Sequence, residues 1–439
     1  MIVSPEFRRN LWLEITTYRL ISMPVILGAV IFLVYVFDNY RLDKGVSSAS
    51  AGLFFIISMI WGTKLASESI MIEIRDHTWD GQRMSVITPW QLTWGKLFGS
   101  TVYTWYGALI CIGFFGLSST ERDAGQTLKT MLVLILSGVM AHAVSLLASL
   151  MAIQKERAFN KSQSPGLLIL GIVAAGPFIN LALNKGTAVR WFGVSFSETD
   201  FLLGSILAYA LWAVLGVCQM LRRELQMKNG PWVWYGFVLF IMLHIAGFFY
   251  GFPQGGNPAM SAASPALLAA YGISVCVIYF MAFCERKDII TLQAVVRLAS
   301  EGDWRRFLER SPRWFLTLPV AVLAGCAVLL AAVTGNAGKA AISWFVVASL
   351  FFIMRDVGIM LFCNLGKSNR RADILSLLYL ILLYGVFPAT LSGMKIDDAT
   401  LLFWPRPDLN PIVACVAPLL ELLAIGFLVA GRWKKRTAE

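Results

Sequence analysis

A short run of charged side chains of both signs separates two apolar segments early in the chain. It occupies positions 73–96, and its charged members are Glu73, Arg75, Asp76, Asp80, Arg83 and Lys96. Side chains of this kind form salt bridges that fix the register and the choice of a protein partner more than its affinity. Charge at this density is costly inside hydrocarbon. We therefore expect the segment to lie outside the bilayer, at one membrane face, as a docking element.

The sequence offers no pattern for catalysis beside this segment. Gly366-Lys367-Ser368 matches the end of a phosphate-binding loop, but the motif needs glycine at the position of Leu361. The three His residues are isolated, and neither HExxH nor GxSxG occurs. The seven Cys residues form no CxxC pair or Cys/His cluster. We expect no catalytic residue, no metal site and no cofactor bound by this chain.

The composition predicts the elements that position the charged segment. Of the 439 residues, 57% are hydrophobic and 14% are charged, which is unlike a soluble globular chain. Apolar runs long enough to cross about 30 Å of hydrocarbon recur, without the alternation of a transmembrane barrel. We predict an all-α polytopic membrane protein. Its transmembrane helices, about 12 in number, are expected near residues 20–37, 50–66, 98–118, 130–152, 165–184, 201–221, 232–251, 264–283, 314–334, 341–363, 374–393 and 411–431.

The distribution of basic residues indicates the orientation. The formal net charge is +11, from 37 Lys and Arg against 26 Asp and Glu. With a cytoplasmic N-terminus, Lys and Arg favour the cytoplasmic loops by about three to one, as the positive-inside rule requires. We therefore expect both termini in the cytoplasm, contact with anionic membrane lipids, and no nucleic-acid partner.

The N-terminal segment predicts an amphipathic helix at the same face. Ser4 suits the N-cap, and Pro5 suits the first helical position. An apolar stripe at helical spacing follows, formed by Phe7, Leu11, Ile15 and Tyr18. We expect residues 1–19 to lie in the membrane interface as such a helix.

The charged segment resembles the loop by which type-2 ABC exporter permeases dock on a separate ATPase subunit. In that family a charged run leads to Thr-Pro and then to Gly-Lys before the next membrane helix. The matching residues are Thr78, Asp80, Gln82, Thr88, Pro89, Gln91, Gly95 and Lys96. The resemblance implies an ABC-type ATPase partner that handles ATP and Mg. It also implies that the ATPase is contacted by Glu73, Arg75, Asp76, Thr78, Asp80 and Arg83.

The order of spans repeats along the chain. Residues 20–222 and 223–431 each hold six predicted spans, followed by a basic tail at 432–439. An even number of spans per half gives a parallel repeat, with interfacial and coupling helices added to it. The second half places at the docking position Arg297, Glu301, Asp303, Arg305 and Arg306. In the type-2 ABC family two six-span units form the pore, so the resemblance implies that one chain supplies both; a second permease copy is left open.

Few ionisable residues fall inside the predicted spans. The main ones are Arg355, Asp356 and Glu421. An ionisable residue in a span is a functional-site hypothesis by default. Glu421, the closest to mid-span, is the better candidate for a translocation path. Arg355 and Asp356 lie nearer the cytoplasmic end, where pairing or snorkelling explains them more simply.

Two other functions are weighed against the exporter. A major-facilitator-like secondary transporter also has two parallel six-span halves, but the segment at 73–96 lacks the GxxxDRxGRR-like motif of that class. A membrane-embedded transferase would carry a polar cluster at one membrane surface, for which the charged segment could be mistaken. We expect an ABC exporter permease in a prokaryotic inner (cytoplasmic) membrane, and the sequence does not indicate its cargo.

Overall fold

The computed structural model of the protein is built almost entirely of helices. It describes residues 4–119, 123–156, 164–184, 186, 188–251, 264–333, 340–366, 372–404 and 411–438. The chain divides into two compact units, Met1–Val189 with Ser195–Asn229 and Arg190–Val194 with Gly230–Glu439. Lys367 and Ser368, from the rejected phosphate-loop match, lie outside the described residues.

The first unit begins with a short helix and continues through helices that alternate with loops. Two π-helical segments, π1 (Phe55–Gly62) and π2 (Gly95–Gly99), lie within this run. The α-helices are α1 (Pro5–Glu14), α2 (Thr17–Phe37), α3 (Lys44–Phe54), α4 (Thr63–Arg75), α5 (Trp79–Arg83), α6 (Pro89–Trp94), α7 (Val102–Ser118), α8 (Ala124–Glu156), α9 (Ser164–Leu183) and α10 (Glu198–Glu224).

The second unit also alternates long apolar helices with short ones. A third π-helical segment, π3 (Leu382–Val386), and a 3₁₀-helix at Asp397–Leu402 lie near its end. The α-helices are α11 (Trp232–Phe249), α12 (Ser264–Cys284), α13 (Ile289–Ser300), α14 (Trp304–Arg310), α15 (Arg313–Val333), α16 (Ala340–Asn364), α17 (Ala372–Ile381), α18 (Phe387–Gly393) and α19 (Pro411–Ala438).

The helix lengths confirm a polytopic α-helical membrane protein. Among the described residues, 11 helices are long and apolar enough to cross a membrane. A twelfth span is counted if Pro89–Gly99 and Val102–Ser118, which meet at a bend of 57°, are taken together. The sequence predicted a span at 98–118, and the structure adds to it a bend just before Val102.

Local sequence signals explain where the helices next to the charged segment begin. The Ser4 hydroxyl accepts a hydrogen bond of 3.1 Å from the Phe7 N–H, and Pro5 is the first residue of α1, as predicted. At α6 the Thr88 and Gln91 side chains cap each other's backbone N–H groups in a capping box. These caps fix the ends of α1 and α6 independently of the rest of the fold.

The core of the first unit surrounds α8, which contacts α4, α9 and α10. Glycines allow this close approach: a Cβ atom on Gly62 would lie 2.4 Å from His142 Nε2, and one on Gly171 would lie 2.6 Å from the Ala141 carbonyl oxygen. His142 is fully buried and donates from Nε2 to the Ser58 carbonyl oxygen at 2.8 Å. Small residues and interhelical hydrogen bonds are the usual packing devices of membrane helices.

A short β-hairpin interrupts the helical pattern and was not predicted. Its strands are β1 (Val189–Trp191) and β2 (Val194–Phe196). The two residues between the strands, Phe192 and Gly193, both have positive φ, at 47° and 79°. Positive φ at both central positions is characteristic of the type I′ turn that suits two-residue hairpins.

Candidate functional site: a charged docking surface and an intramembrane ion cluster

The predicted docking segment, Glu73–Lys96, begins in the last turn of α4. The backbone reverses at His77, which has a φ of 58°. The N–H of Thr78 donates to the Glu73 carbonyl oxygen at 2.9 Å, and the Thr78 hydroxyl donates to the same oxygen at 3.3 Å. Thr78 therefore closes the C-terminal end of α4 and starts α5, so its side chain has a structural role within the segment.

Glu73 is the one predicted docking residue of this segment whose side chain points inward. Its carboxylate accepts from Arg9 Nη2 at 3.0 Å and from Gln82 Nε2 at 2.7 Å, and it pairs with the ammonium of Lys96. Lys96 is only 1% exposed and also donates to Glu6 Oε1 at 3.0 Å. Two buried carboxylates, the buried Lys96 and the half-exposed Arg9 thus form a charge-balanced group. We call these four residues, together with Gln82, the buried ion cluster.

The buried ion cluster joins four elements of the first unit. Glu6 and Arg9 lie on α1, Glu73 on α4, Gln82 on α5 and Lys96 on π2. The contribution of α1 was not predicted, because its partners lie far along the chain and no local spacing indicates them. Lys96 was noted as part of the loop pattern, and the structure shows why a cation is needed there: it neutralises Glu6 and Glu73, both of which are buried.

The remaining charged residues of the segment are exposed. Arg75 pairs with Asp76 at 3.2 Å, and Arg83 pairs with Asp80 at 3.6 Å. These pairs are adjacent in sequence or one helical turn apart, and exposed pairs of this kind contribute little to stability. The structure therefore leaves Arg75, Asp76, Asp80 and Arg83 available to a partner surface, while Glu73 is already used inside the unit.

Trp79 fixes α5 to the body of the unit. Its side chain is 5% exposed and packs in a cluster with Ile70, Leu92 and Leu97. Leu97 belongs to π2, which leads into the 57° bend before α7. The docking segment is thus connected to the broken span both by apolar packing and by the Lys96 ammonium.

The predicted docking element of the second unit consists of α13 and α14. Asp303 is the N-cap of α14 and accepts from the Arg306 N–H at 3.1 Å. Of the predicted residues, Asp303 is half-buried and the other four are exposed. They form the pairs Arg297–Glu301, Arg305–Glu309 and Arg306–Asp303 within single helical turns. Trp304, at the position in α14 that Trp79 holds in α5, is 63% exposed.

The intramembrane candidates of the second unit form a second ion cluster. Arg355 Nε donates to Asp356 Oδ1 at 2.9 Å, and Arg355 Nη1 donates to Glu421 Oε2 at 2.5 Å. Arg355 and Asp356 lie on α16, while Glu421 lies on α19. The structure therefore brings together all three residues that sequence analysis had placed in two different spans.

Two tyrosines complete the intramembrane cluster. The hydroxyl groups of Tyr279, on α12, and Tyr384, on π3, both donate to Asp356 Oδ2. The guanidinium of Arg355 lies 4.6 Å from the Phe352 ring centre and 5.4 Å from the Tyr384 ring centre. Sequence analysis missed these tyrosines, because a Tyr in an apolar span has no pattern that separates it from packing residues.

A further ion pair, between buried Lys287 and partly buried Asp373, lies next to the start of α13. Lys287, between α12 and α13, donates to Asp373 Oδ1 at 2.9 Å, and Asn364 Nδ2 donates to the same oxygen at 3.1 Å. Glu285 accepts from the Arg313 N–H at 2.6 Å, which caps α15. These residues were not predicted, and they tie the docking element to its flanking spans.

Neither ion cluster has the composition of a metal site. In the described part of the chain, no group of three or more His, Cys, Asp or Glu residues is arranged to hold a metal ion.

Comparison of the chain with protein-family models, curated proteins and solved structures yields no match.

Proposed function

We propose that the chain is the membrane-spanning permease subunit of an ATP-driven ABC-type exporter. The observation that carries the proposal is the docking segment Glu73–Lys96, in which exposed charges lie on a short helix that is fixed to the body of the unit by Trp79 and the buried ion cluster. A rigidly held charged helix outside the spans is suited to bind a partner and to transmit its movement.

The proposed division of labour assigns ATP to a partner. A separate ABC-type ATPase binds and hydrolyses ATP with Mg, and its surface receives α5 with Asp80 and Arg83. Movement of α5 passes through Gln82 and Glu73 to Lys96, and so to π2 and the start of α7. Because π2 precedes a bend of 57°, a change of angle at this point alters the direction of α7.

The same proposal covers the second unit. The sequence places α13 and α14 between the second and third spans of that unit, as α5 lies in the first. We therefore propose two six-span halves in parallel orientation, each with its own docking element. The membrane is a prokaryotic inner membrane, both termini are cytoplasmic, and anionic lipids contact the basic loops.

Co-purification with a charge-swapped variant tests the proposal. We expect a tagged chain, extracted gently from its native membrane, to retrieve an ATP-binding subunit. The double variant Asp80→Arg/Arg83→Glu exchanges the two charges and preserves an oppositely charged pair within α5, so the helix keeps its internal salt bridge. We expect this variant to lose the ATPase, because the charge pattern presented to the partner is reversed.

The matched control exchanges a pair that lies away from the docking segment. Lys129 on α8 pairs with Asp200 on α10 at 2.5 Å, and both side chains are exposed. Lys129→Asp/Asp200→Lys is expected to retrieve the ATPase like the wild type. Failure of the wild-type chain to retrieve any ATP-binding subunit, or hydrolysis of ATP by the purified chain alone, would refute the proposed function.

One observation favours a different class of transporter. The cluster of Arg355, Asp356 and Glu421 places titratable groups within spans, as in an ion-coupled secondary transporter. Sealed vesicles separate the two functions: transport driven by an ion gradient in the absence of ATP supports the secondary transporter, and transport that requires ATP and the partner supports the exporter.

A further inference from the structure

Glu421 stands apart from the rest of the intramembrane cluster. Its only polar partner among the described residues is Arg355, which binds Oε2, so that Oε1 accepts no hydrogen bond there. The Glu421 side chain is 30% exposed, whereas those of Arg355 and Asp356 are buried. One carboxylate oxygen is therefore open to a ligand. With a rise of 1.5 Å per residue, Glu421 lies about 16 Å along α19 from the basic residue Arg432.

The charge of the cluster determines which ligand it can accept. It contains one guanidinium and two carboxylates, which leave one net negative charge when all three groups are ionised. Asp356 is already engaged, because Oδ1 faces Arg355 and Oδ2 accepts from Tyr279 and Tyr384. An anion would have to displace a carboxylate from Arg355, whereas a cation at the open oxygen of Glu421 would offset the net negative charge of the cluster.

Aromatic rings lie near the guanidinium that holds this carboxylate: the Tyr384 ring centre is 5.4 Å from Arg355 Cζ. Arg355 Nη1, which holds Glu421, also donates to the Leu402 carbonyl oxygen at 3.4 Å, so the segment around Leu402 borders the site. Trp404 follows in that segment, and its ring lies 5.4 Å from the Tyr384 ring. Its indole N–H donates to the Tyr384 carbonyl oxygen at 3.1 Å, and about half of the side chain is exposed.

We propose that Glu421, with Trp404 and Tyr384, is a binding site for a hydrophobic monovalent organic cation. Organic cations are recognised by aromatic faces combined with a negative charge. Glu421 and Tyr384 both contact Arg355, and the Trp404 ring packs on that of Tyr384. This inference deepens the proposed function, on which it rests for identifying the ligand as cargo. The binding itself requires neither ATP nor a partner.

Two ions of nearly equal size and opposite charge test the site. The full-length chain is reconstituted in lipid nanodiscs, and equilibrium binding of radiolabelled tetraphenylphosphonium and tetraphenylborate is measured. We expect saturable binding of the phosphonium and none of the borate. Glu421→Gln is expected to weaken phosphonium binding by at least about tenfold, because it removes the net negative charge of the cluster.

Further variants distinguish loss of the binding site from loss of the fold. Trp404→Leu is expected to weaken binding several-fold and Trp404→Phe to retain most of it, since only the first removes the aromatic face. Glu14→Gln, outside the spans and paired with Arg19, serves as the control and is expected to bind like the wild type. Equal phosphonium binding by the wild type and Glu421→Gln, or equal binding of the borate, overturns the proposal.

The binding assay tests the cation site and the co-purification tests the ABC assignment, so either proposal can be refuted without the other. A chain that binds the phosphonium but retrieves no ATPase keeps the cation site and loses the ABC assignment. A chain that retrieves the ATPase but binds no phosphonium in nanodiscs keeps the permease assignment and overturns the cation site.

Discussion

At the scale of single residues, Lys96 is a fully buried cation whose charge is balanced by two buried carboxylates. Its ammonium is buried between the carboxylates of Glu6 and Glu73, and its removal leaves two buried negative charges with Arg9 as their remaining cation. Breaking a buried ion pair by removing one partner costs about 3–5 kcal/mol, because the other charge stays uncompensated.

We therefore expect Lys96→Met to destabilise the chain by about 3 kcal/mol or more. The measurement is the free energy of unfolding in a mild detergent. Lys129→Met is the matched control, because its pair with Asp200 is exposed, and we expect a loss of about 1 kcal/mol or less. Adding Glu73→Gln to Lys96→Met restores the charge balance and is expected to recover part of the loss. Equal effects of the two Lys→Met variants would contradict the role given to Lys96.

The loop between α2 and α3 gives a pH-dependent prediction. Hydrogen bonding to the Asp43 carboxyl, together with desolvation and charge repulsion, raises the pKa of Asp38 above its ordinary value. Because the folded-state pKa is raised, the stability contribution is fully present below the unfolded-state pKa and is lost as the pH rises through the folded-state value. The interaction therefore stabilises the loop under acidic conditions.

We expect the thermal unfolding midpoint of the wild type to fall, relative to that of Asp43→Asn, as the pH rises from about 4 to 7. Asp43→Asn removes the carboxyl that raises the pKa of Asp38, so the difference between the two proteins isolates this pair. Asp200→Asn is a control at another exposed carboxylate and is expected to follow the wild type. Parallel pH profiles for wild type and Asp43→Asn would show that the two carboxyls do not share a proton.

At the scale of elements, α5 and α14 begin with the same residue type in opposite environments. Trp79 is 5% exposed and packs in the core, whereas Trp304 is 63% exposed. Both follow the N-cap residue of a short helix between two spans. An exposed Trp among Arg side chains has the composition of a protein-binding hot spot.

The same substitution at both positions is expected to have different results. Trp79→Ala removes a core side chain and is expected to cost about 3–5 kcal/mol in the free energy of unfolding. Trp304→Ala is expected to leave stability nearly unchanged and to reduce retrieval of the ATPase, which is measured by co-purification from the membrane. Normal retrieval by Trp304→Ala would remove α14 from the proposed docking surface.

The elements show which parts of the structure are readable from sequence. The spans follow from hydropathy, and the ends of α1 and α6 follow from Ser4, Pro5, Thr88 and Gln91, since these signals are local. The burial of Glu73 was not predictable, because it depends on partners in α1 and π2 that only the tertiary fold brings together. The bend before α7 was missed for a similar reason: its apolar residues suit a straight helix as well as a broken one.

The candidate sites likewise contain some residues that can be recognised in the sequence and some features that only the packed structure reveals. Arg355, Asp356 and Glu421 could be found because a charge in an apolar span is rare. The role of each could not, because Arg355 and Glu421 lie in separate helices and Tyr279 and Tyr384 resemble packing residues. Open access to one oxygen of Glu421 is a property of the packed structure, and it is what distinguishes this carboxylate from that of Asp356.

At the scale of the whole molecule, the two proposed docking elements predict how many copies of the chain and of the ATPase form the complex. A permease unit with six spans and one docking segment needs a second copy to engage a pair of ATPases. We propose such segments in both compact units of this chain, α5 in the first and α14 in the second. Their residues differ, so the two contacts are expected to be unequal.

We therefore expect one copy of the chain to bind two ATPase subunits. Native mass spectrometry of the complex, released from nanodiscs, measures this ratio directly. Asp80→Arg/Arg83→Glu and Trp304→Ala alter different docking elements, so their complexes are expected to differ in how readily the ATPases dissociate. A complex with two copies of the chain would show that the second unit does not replace a partner permease. In that case α13 and α14 would need a role other than docking, because the first unit of each copy would already supply the two contacts.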